Sequence, residues 1–96
     1  MPQYRLTPAA QADLDRIWEY TVAKWSEAQA EGYIRGIQTT CEGLISGATV
    51  SRSAESVRAG YRKTAVGSHV MFFKQSNDGV VIVRILHQRM DIERHL

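Results

Sequence analysis

The stretch Val70-Met71-Phe72-Phe73-Lys74-Gln75-Ser76-Asn77-Asp78-Gly79-Val80-Val81-Ile82-Val83-Arg84-Ile85-Leu86 decides the fold. Asn77-Asp78-Gly79 is a hairpin signal, because glycine tolerates the positive φ that a tight turn demands. It joins two predicted strands, Val70–Phe73 and Val80–Leu86. The second is apolar on both faces except at Arg84, as expected of a strand covered on both sides. Gly67-Ser68 supplies a turn before this pair. Upstream, from Val57 onward, the pattern has period two. Val57, Ala59, Tyr61 and Lys63 point one way, and Arg58, Gly60, Arg62 and Thr64 the other. Residues 48–56 are small and polar and read as a loop.

Before residue 48 the period is helical. Tyr4-Arg5-Leu6 reads as a short strand. Thr7-Pro8 then opens a helix, threonine capping free N–H groups and proline filling the first helical position. Ala10, Leu14, Ile17, Thr21 and Trp25 share a face, which Trp18 and Val22 widen. Both tryptophans are expected in the helical core. Ser26-Glu27-Ala28-Gln29 matches a capping box and restarts the pattern. Ala30, Tyr33, Ile34, Ile37, Cys41, Leu44 and Ile45 form the second stripe, which Gly47 ends. Gly32 and Gly36 share a face, where either a close backbone approach or simple tolerance by a packed helix accounts for them. Two long helices with almost no connector fold back as a hairpin. Met90–Leu96 forms one short terminal helix with Asp91 near its start.

The expected order is β-α-α-β-β-β plus a terminal helix. The class is α+β, with an antiparallel sheet packed against an N-terminal helical hairpin, in one domain spanning residues 1–96. Hydrophobic residues make up 44% of the chain, enough for a core and too many for a disordered segment. Cys41 is the single cysteine, so no internal disulfide forms, and its apolar setting points to inert packing. His69, His87 and His95 show no metal-ligand spacing with it, and no cofactor is implied. The opening MPQYRLTPAA lacks an apolar run, and Arg84 interrupts Val80–Val83, so neither a signal peptide nor a membrane span is expected and the cytoplasm is. Residues 1–50 carry four basic and six acidic side chains, and residues 51–96 carry eight and four. The second half is the one expected to meet an anionic partner.

Three stretches resemble the RelE/ParE superfamily of bacterial toxins. Tyr4-Arg5-Leu6-Thr7-Pro8-Ala9-Ala10 with Asp13-Leu14-Asp15-Arg16-Ile17-Trp18-Glu19-Tyr20 is similar to its first strand and helix. Val57-Arg58, Gly60-Tyr61-Arg62-Lys63, Gly67-Ser68-His69 and Phe72-Phe73-Lys74 resemble its central hairpin. Arg84-Ile85-Leu86-His87-Gln88-Arg89-Met90-Asp91 is most specific and resembles the ParE branch. The resemblance implies the toxin of a type II toxin–antitoxin pair, held by a ParD-like antitoxin in a hetero-oligomeric complex. It implies DNA gyrase as target, whereas RelE-type members cut messenger RNA on the ribosome.

The residues weigh those two activities. RNA cleavage needs a base, cations for the charged intermediate and an acid. An aromatic platform for an unstacked base commonly accompanies them. No Tyr, Phe or Trp follows Phe73, and His69 stands where RelE-type members place an arginine in the middle strand. A binder is therefore expected, with no catalytic residue and no specific nucleic-acid binding by the toxin alone; a RelE-type ribonuclease is the alternative. The residues expected to face antitoxin or target are Arg58, Arg62, Lys63, Arg84, His87, Arg89 and Arg94. Arg84 inside an apolar strand has a second reading, an ion pair with a helix acid. His87 has one as a hydrogen-bonded strand-end residue. An antitoxin crossing the sheet is expected to be acidic. Ile92 and Leu96 lie four apart, so the terminal helix offers an apolar face that either closes the chain's own core or yields to the antitoxin. Deleting residues 90–96 is expected to impair growth arrest on induction; unchanged arrest by a soluble truncated protein would rule out a toxic role for the segment.

Overall fold

The computed structural model describes residues 3–96. The elements are β1 (Gln3–Leu6), α1 (Pro8–Lys24), α2 (Glu27–Ser46), β2 (Arg52–Ser53), β3 (Arg62–Val66), β4 (His69–Ser76), β5 (Gly79–His87) and α3 (Ile92–His95). The caps read from sequence set the helix ends. Thr7 Oγ1 accepts the Ala10 amide at 3.1 Å, Ser26 Oγ accepts that of Gln29 at 3.0 Å, and Gly47 ends α2 in the left-handed region. Asp91 likewise caps α3.

The sheet order is β1-β5-β4-β3-β2. The α+β class and the helical hairpin stand as expected. The sheet is antiparallel from β2 through β5, but β1 lies parallel to β5, Gln3 opposite Gly79 and Leu6 opposite Ile82. The whole intervening chain acts as the crossover that a parallel pair requires. The β4–β5 hairpin closes where Asn77-Asp78-Gly79 placed it. β5 becomes an inner strand, which explains its apolar character on both faces.

Two layers cover it. On the helical side, Ala10 and Ile17 of α1 and Ile37 and Cys41 of α2 pack on Met71, Phe73, Val80, Ile82 and Ile85. On the other, Phe72 and Leu86 are buried with Ala54 beneath Tyr61, Val70, Ile92 and Leu96. The terminal helix thus completes a second, smaller core. A β-bulge between Phe72 and Phe73 shifts the register, so Ile82 and Ile85, three residues apart, both face the helices. Cys41 is buried with its Sγ 3.7 Å from Met71 Sδ, and burial pushes its thiol up to about 11, an inert setting.

Several expectations fail locally. The alternation from Val57 does not make a strand. Residues 54–61 close on themselves through Ala54 N–H to Tyr61 O at 2.8 Å, Arg58 N–H to Ala54 O at 3.1 Å and Gly60 N–H to Glu55 Oε2 at 2.6 Å. Gly60 has φ +82°, a turn conformation, so β3 starts only at Arg62. The loop read at 48–56 contains the two-residue β2. Trp25 is 65% exposed and Trp18 36% exposed, so neither is core. Trp25 caps the end of α1, and Asp13 takes the buried place on its face. A Cβ on Gly32 or Gly36 would meet nothing within 4 Å; the close approach is at Gly43, where a Cβ would collide with Thr49 Oγ1.

Asp13 is 4% exposed and its carboxylate is fully engaged. Arg84 Nε and Nη2 donate to its two oxygens at 2.8 Å each, Ile85 N–H donates at 2.9 Å and Arg16 Nη2 at 2.8 Å. Burial, the largest single influence, opposes ionisation. The hydrogen bonds from Arg84 and Ile85, the Arg84 charge and Arg16 together outweigh it and hold the carboxyl below its ordinary value. Such a group stabilises fully above its unfolded value and loses that contribution as pH falls through the lower folded one. Asp13→Asn is expected to lose about 3 kcal/mol, the low end for breaking a buried pair because Arg84 keeps some solvent. Urea denaturation would show it, together with a weaker loss of stability than the wild type below the ordinary aspartate value of 3.8. An unchanged urea midpoint would contradict this.

Candidate partner-binding surfaces

The seven basic residues expected at a partner surface do not form one patch. Three are tied into their own chain. Arg84 spans the sheet edge, pairing with Asp13 and donating through Nη1 to His95 O at 2.8 Å. Arg62 donates to Ser51 Oγ at 2.9 Å and to Ser51 O at 3.1 Å. Arg58, which lies in a turn and not on a strand face with Arg62, donates through Nε to the main-chain oxygen of Leu96 at 2.7 Å. These contacts hold the terminal helix, the β2 edge and α1. Of the two readings of Arg84, the ion pair with a helix acid is the one observed.

The remaining four are more available. Arg94 is exposed and lies 3.7 Å from Asp91, a pair that contributes little at such exposure. Arg89 is exposed, and its guanidinium meets no acid or acceptor among the described residues. Lys63 is half-buried and also meets none, and the strand register brings Arg52 opposite it. The same register continues through Phe72 to Arg84, so Arg52, Lys63, Phe72 and Arg84 form one row across the face away from the helices. Between that row and α3 runs a groove of about 540 Å³, lined by Val50, Arg52, Lys63, Ala65, Val70 and Ile92. The groove joins an apolar floor to two unpaired cations, which suits an acidic amphipathic partner segment. Arg52 escaped the sequence reading because it sat in an apparent loop.

His87 belongs to a second surface. It faces His69 across β4–β5, the rings T-shaped with centroids 5.4 Å apart. Its Nδ1 accepts the Arg89 amide at 3.2 Å. His69 Nδ1 lies 2.6 Å from Tyr33 Oη, which also accepts the Ser68 amide at 2.9 Å. A Cβ on Gly67 would strike the Tyr33 ring, so the β3–β4 turn closes tightly over α2. Burial, then His87, hold His69 below the usual histidine value despite the opposing pull of Asp13, so the ring is neutral near neutrality. Tyr20 and Lys24 of α1, and Trp25 at its C-terminal cap, line the adjoining cleft.

The absence of aromatic residues after Phe73 therefore does not leave the cleft without rings, since the helices supply them. Among the described residues Lys24 is the cation lining that cleft, while Arg58, Arg62 and Arg84 are bound to other parts of the chain. Among the described residues no group of three or more His, Cys, Asp or Glu side chains converges on a metal position, and no helix is long and apolar enough to cross a membrane.

Comparison with known proteins places this architecture. The family described as "ParE toxin of type II toxin-antitoxin system, parDE" matches residues 4–92. Toxin ParE1 of Caulobacter vibrioides is 43% identical over 96 residues, covering 100% of this chain and 99% of its own. Toxin ParE1 of Mycobacterium tuberculosis is 41% identical over 95 residues, covering 98% and 97%. Toxin ParE of Escherichia coli is 30% identical over 97 residues, covering 100% and 94%. A solved structure described as the chromosomal ParDE TA system from P. aeruginosa shares the fold with a TM-score of 0.75 at 22% identity, covering 91% of this chain and 96% of that one. With a family match and relatives that span its length, the chain belongs to the ParE toxin family of type II toxin–antitoxin systems.

Proposed function

We propose that this toxin arrests growth by binding DNA gyrase and disturbing its cleavage–religation cycle, without catalysing a reaction. The observation that carries the reading is the family match over residues 4–92. The geometry supports it in one respect: the arginines that an RNA-cutting site would use to meet a charged intermediate hold the fold together instead. The RelE-type alternative rests on His69 and His87 beside Tyr33, a proton-transfer group without clustered cations. The toxin acts in the cytoplasm, where its target is found.

A ParD-like antitoxin silences it. The groove beside Arg52 and Lys63 is the surface proposed for an acidic, amphipathic antitoxin segment, with Val70 and Ile92 receiving its apolar side chains. Long-range attraction between such surfaces speeds association and fades as salt screens it.

Purified gyrase with the toxin added is expected to lose supercoiling activity and accumulate cleaved DNA. Supercoiling that persists at saturating toxin, with new messenger RNA cleavage sites appearing soon after induction, would establish the ribonuclease instead. In a separate titration, the paired substitution Arg52→Glu and Lys63→Glu is expected to weaken the antitoxin complex by about tenfold or more and to flatten its salt dependence. Wild-type association that ignores salt would remove electrostatics as the steering force.

A further inference from the structure

His69 and His87 face each other across β4 and β5, and just beyond them the Gln88 amide donates to Ser68 O at 2.9 Å. That bond makes theirs a non-hydrogen-bonded pair, the closer of the two antiparallel kinds, with both side chains on one face. Their ring centroids are 5.4 Å apart. Two imidazoles whose nitrogens sit about 2 Å from one ion, at an angle of about 110–120°, have centroids about 5–5.5 Å apart. The strand register therefore holds the rings at the spacing a shared metal ion needs.

Tyr33 decides which nitrogen of His69 is free. Its Oη accepts the Ser68 amide at 2.9 Å and has Val66 O at 3.2 Å to donate to. His69 Nδ1, 2.6 Å from the same oxygen, is then the donor of that contact, which leaves the lone pair on Nε2. Metal-bound histidines have this arrangement, with the second ring N–H given to an oxygen that orients the ligand. His87 accepts the Arg89 amide through Nδ1 at 3.2 Å, a long and exposed contact. Ligation through Nε2 gives up that one bond, and water replaces it at the Arg89 amide.

A third donor comes from the turn after β5. Met90 N–H bonds His87 O at 2.9 Å, which closes a turn whose end residues have Cα atoms within about 7 Å. Met90 is 44% exposed and lines, with both histidines, a cleft of about 370 Å³. Its unbranched side chain turns freely enough to bring the thioether to the rings. The carboxylate of this cleft, Asp13, is taken by Arg84 and Arg16 and is not available as a ligand. Arg16 lines the same cleft and Lys24 the adjoining one, and such neighbours repel a doubly charged ion more than a singly charged one.

We infer that His69, His87 and Met90 form a binding site for a single copper(I) ion. Imidazole and thioether are donors that suit this soft monovalent ion, whereas zinc takes imidazole, thiolate and carboxylate. The ion clips the start of β4, the end of β5 and the turn that follows to one another. The site is separate from the Arg52–Lys63 groove and does not depend on whether gyrase is the target.

Copper(I) itself is the probe, titrated anaerobically into the full isotope-labelled chain against a chromogenic copper(I) chelator. One ion per chain is expected, with the ring Cε1–H signals of His69 and His87 and the methyl signal of Met90 moving together while those of His95 and Met71 stay in place. Met90→Leu keeps the bulk and removes the sulfur. It is expected to weaken copper(I) about tenfold or more and to leave zinc(II) binding unchanged. Tyr33→Phe removes the oxygen that orients His69 and is expected to lower copper(I) affinity about tenfold at the same stoichiometry. Copper that stays with the chelator, or ligand signals that do not move in the wild type, overturns the site without requiring any variant to fold. Equal copper(I) affinity in Met90→Leu, or zinc(II) bound by the wild type as tightly as copper(I), overturns the role of the thioether and with it the choice of ion.

Discussion

The pairing of Asp13 with Arg84 is the constraint around which the rest of the molecule is arranged. It stands where β1 ends and β5 continues unpaired. The carboxylate takes the place of the missing strand by accepting the Ile85 amide, and its charge fixes the guanidinium that reaches across from the opposite face. The same guanidinium reaches on to His95, so one ion pair joins the first helix, the central strand and the terminal helix. A carboxylate this buried without its arginine would be an uncompensated charge, which is why the two residues imply each other.

This constraint shapes function by subtraction. A chain with a modest positive charge has few cations to spend, and three of the arginines in its second half hold the fold. What is left for other molecules divides between two places. One is the cationic row beside the terminal helix, where Arg52 and Lys63 border an apolar floor. The other is the cleft of His69, His87 and exposed aromatic rings at the end of α1. The first of these, with its apolar floor, is the surface we propose for a polypeptide partner.

Much of the fold was legible because local chemistry agreed with the global result. Thr7-Pro8, Ser26 and Gly47 mark helix ends by satisfying or releasing main-chain groups, a requirement that does not depend on the rest of the chain. The two-sided apolar run of β5 correctly signalled an inner strand. The failures are those of non-local information. Nothing near Tyr4–Leu6 states which strand it joins or in which direction. The alternation over residues 57–64 imitated a strand, but Glu55 and Gly60 offered a tighter local alternative. Trp25 kept the helical period, yet the period continued past the end of the sheet it was meant to cover. Asp13 did leave a signal. It lies three residues after Ala10 and four before Ile17, an acid at a core position, and Arg84 is its counterpart in an apolar strand. An ion pair with a helix acid was one of the two readings of Arg84, and taking the two anomalies together names Asp13 as that acid. The histidine cluster left none, since Tyr33 and His69 meet only through the packing of α2 over the β3–β4 turn.

A double-mutant cycle on folding stability measures the governing interaction directly, using Asp13→Asn, Arg84→Met and the two combined. A coupling of roughly 2 kcal/mol is expected, with the double variant losing much less than the sum of its parents because no buried charge is left unmatched. Losses that simply add would mean that the two side chains act separately, and that Arg84 is as free as the other surface cations to serve a partner.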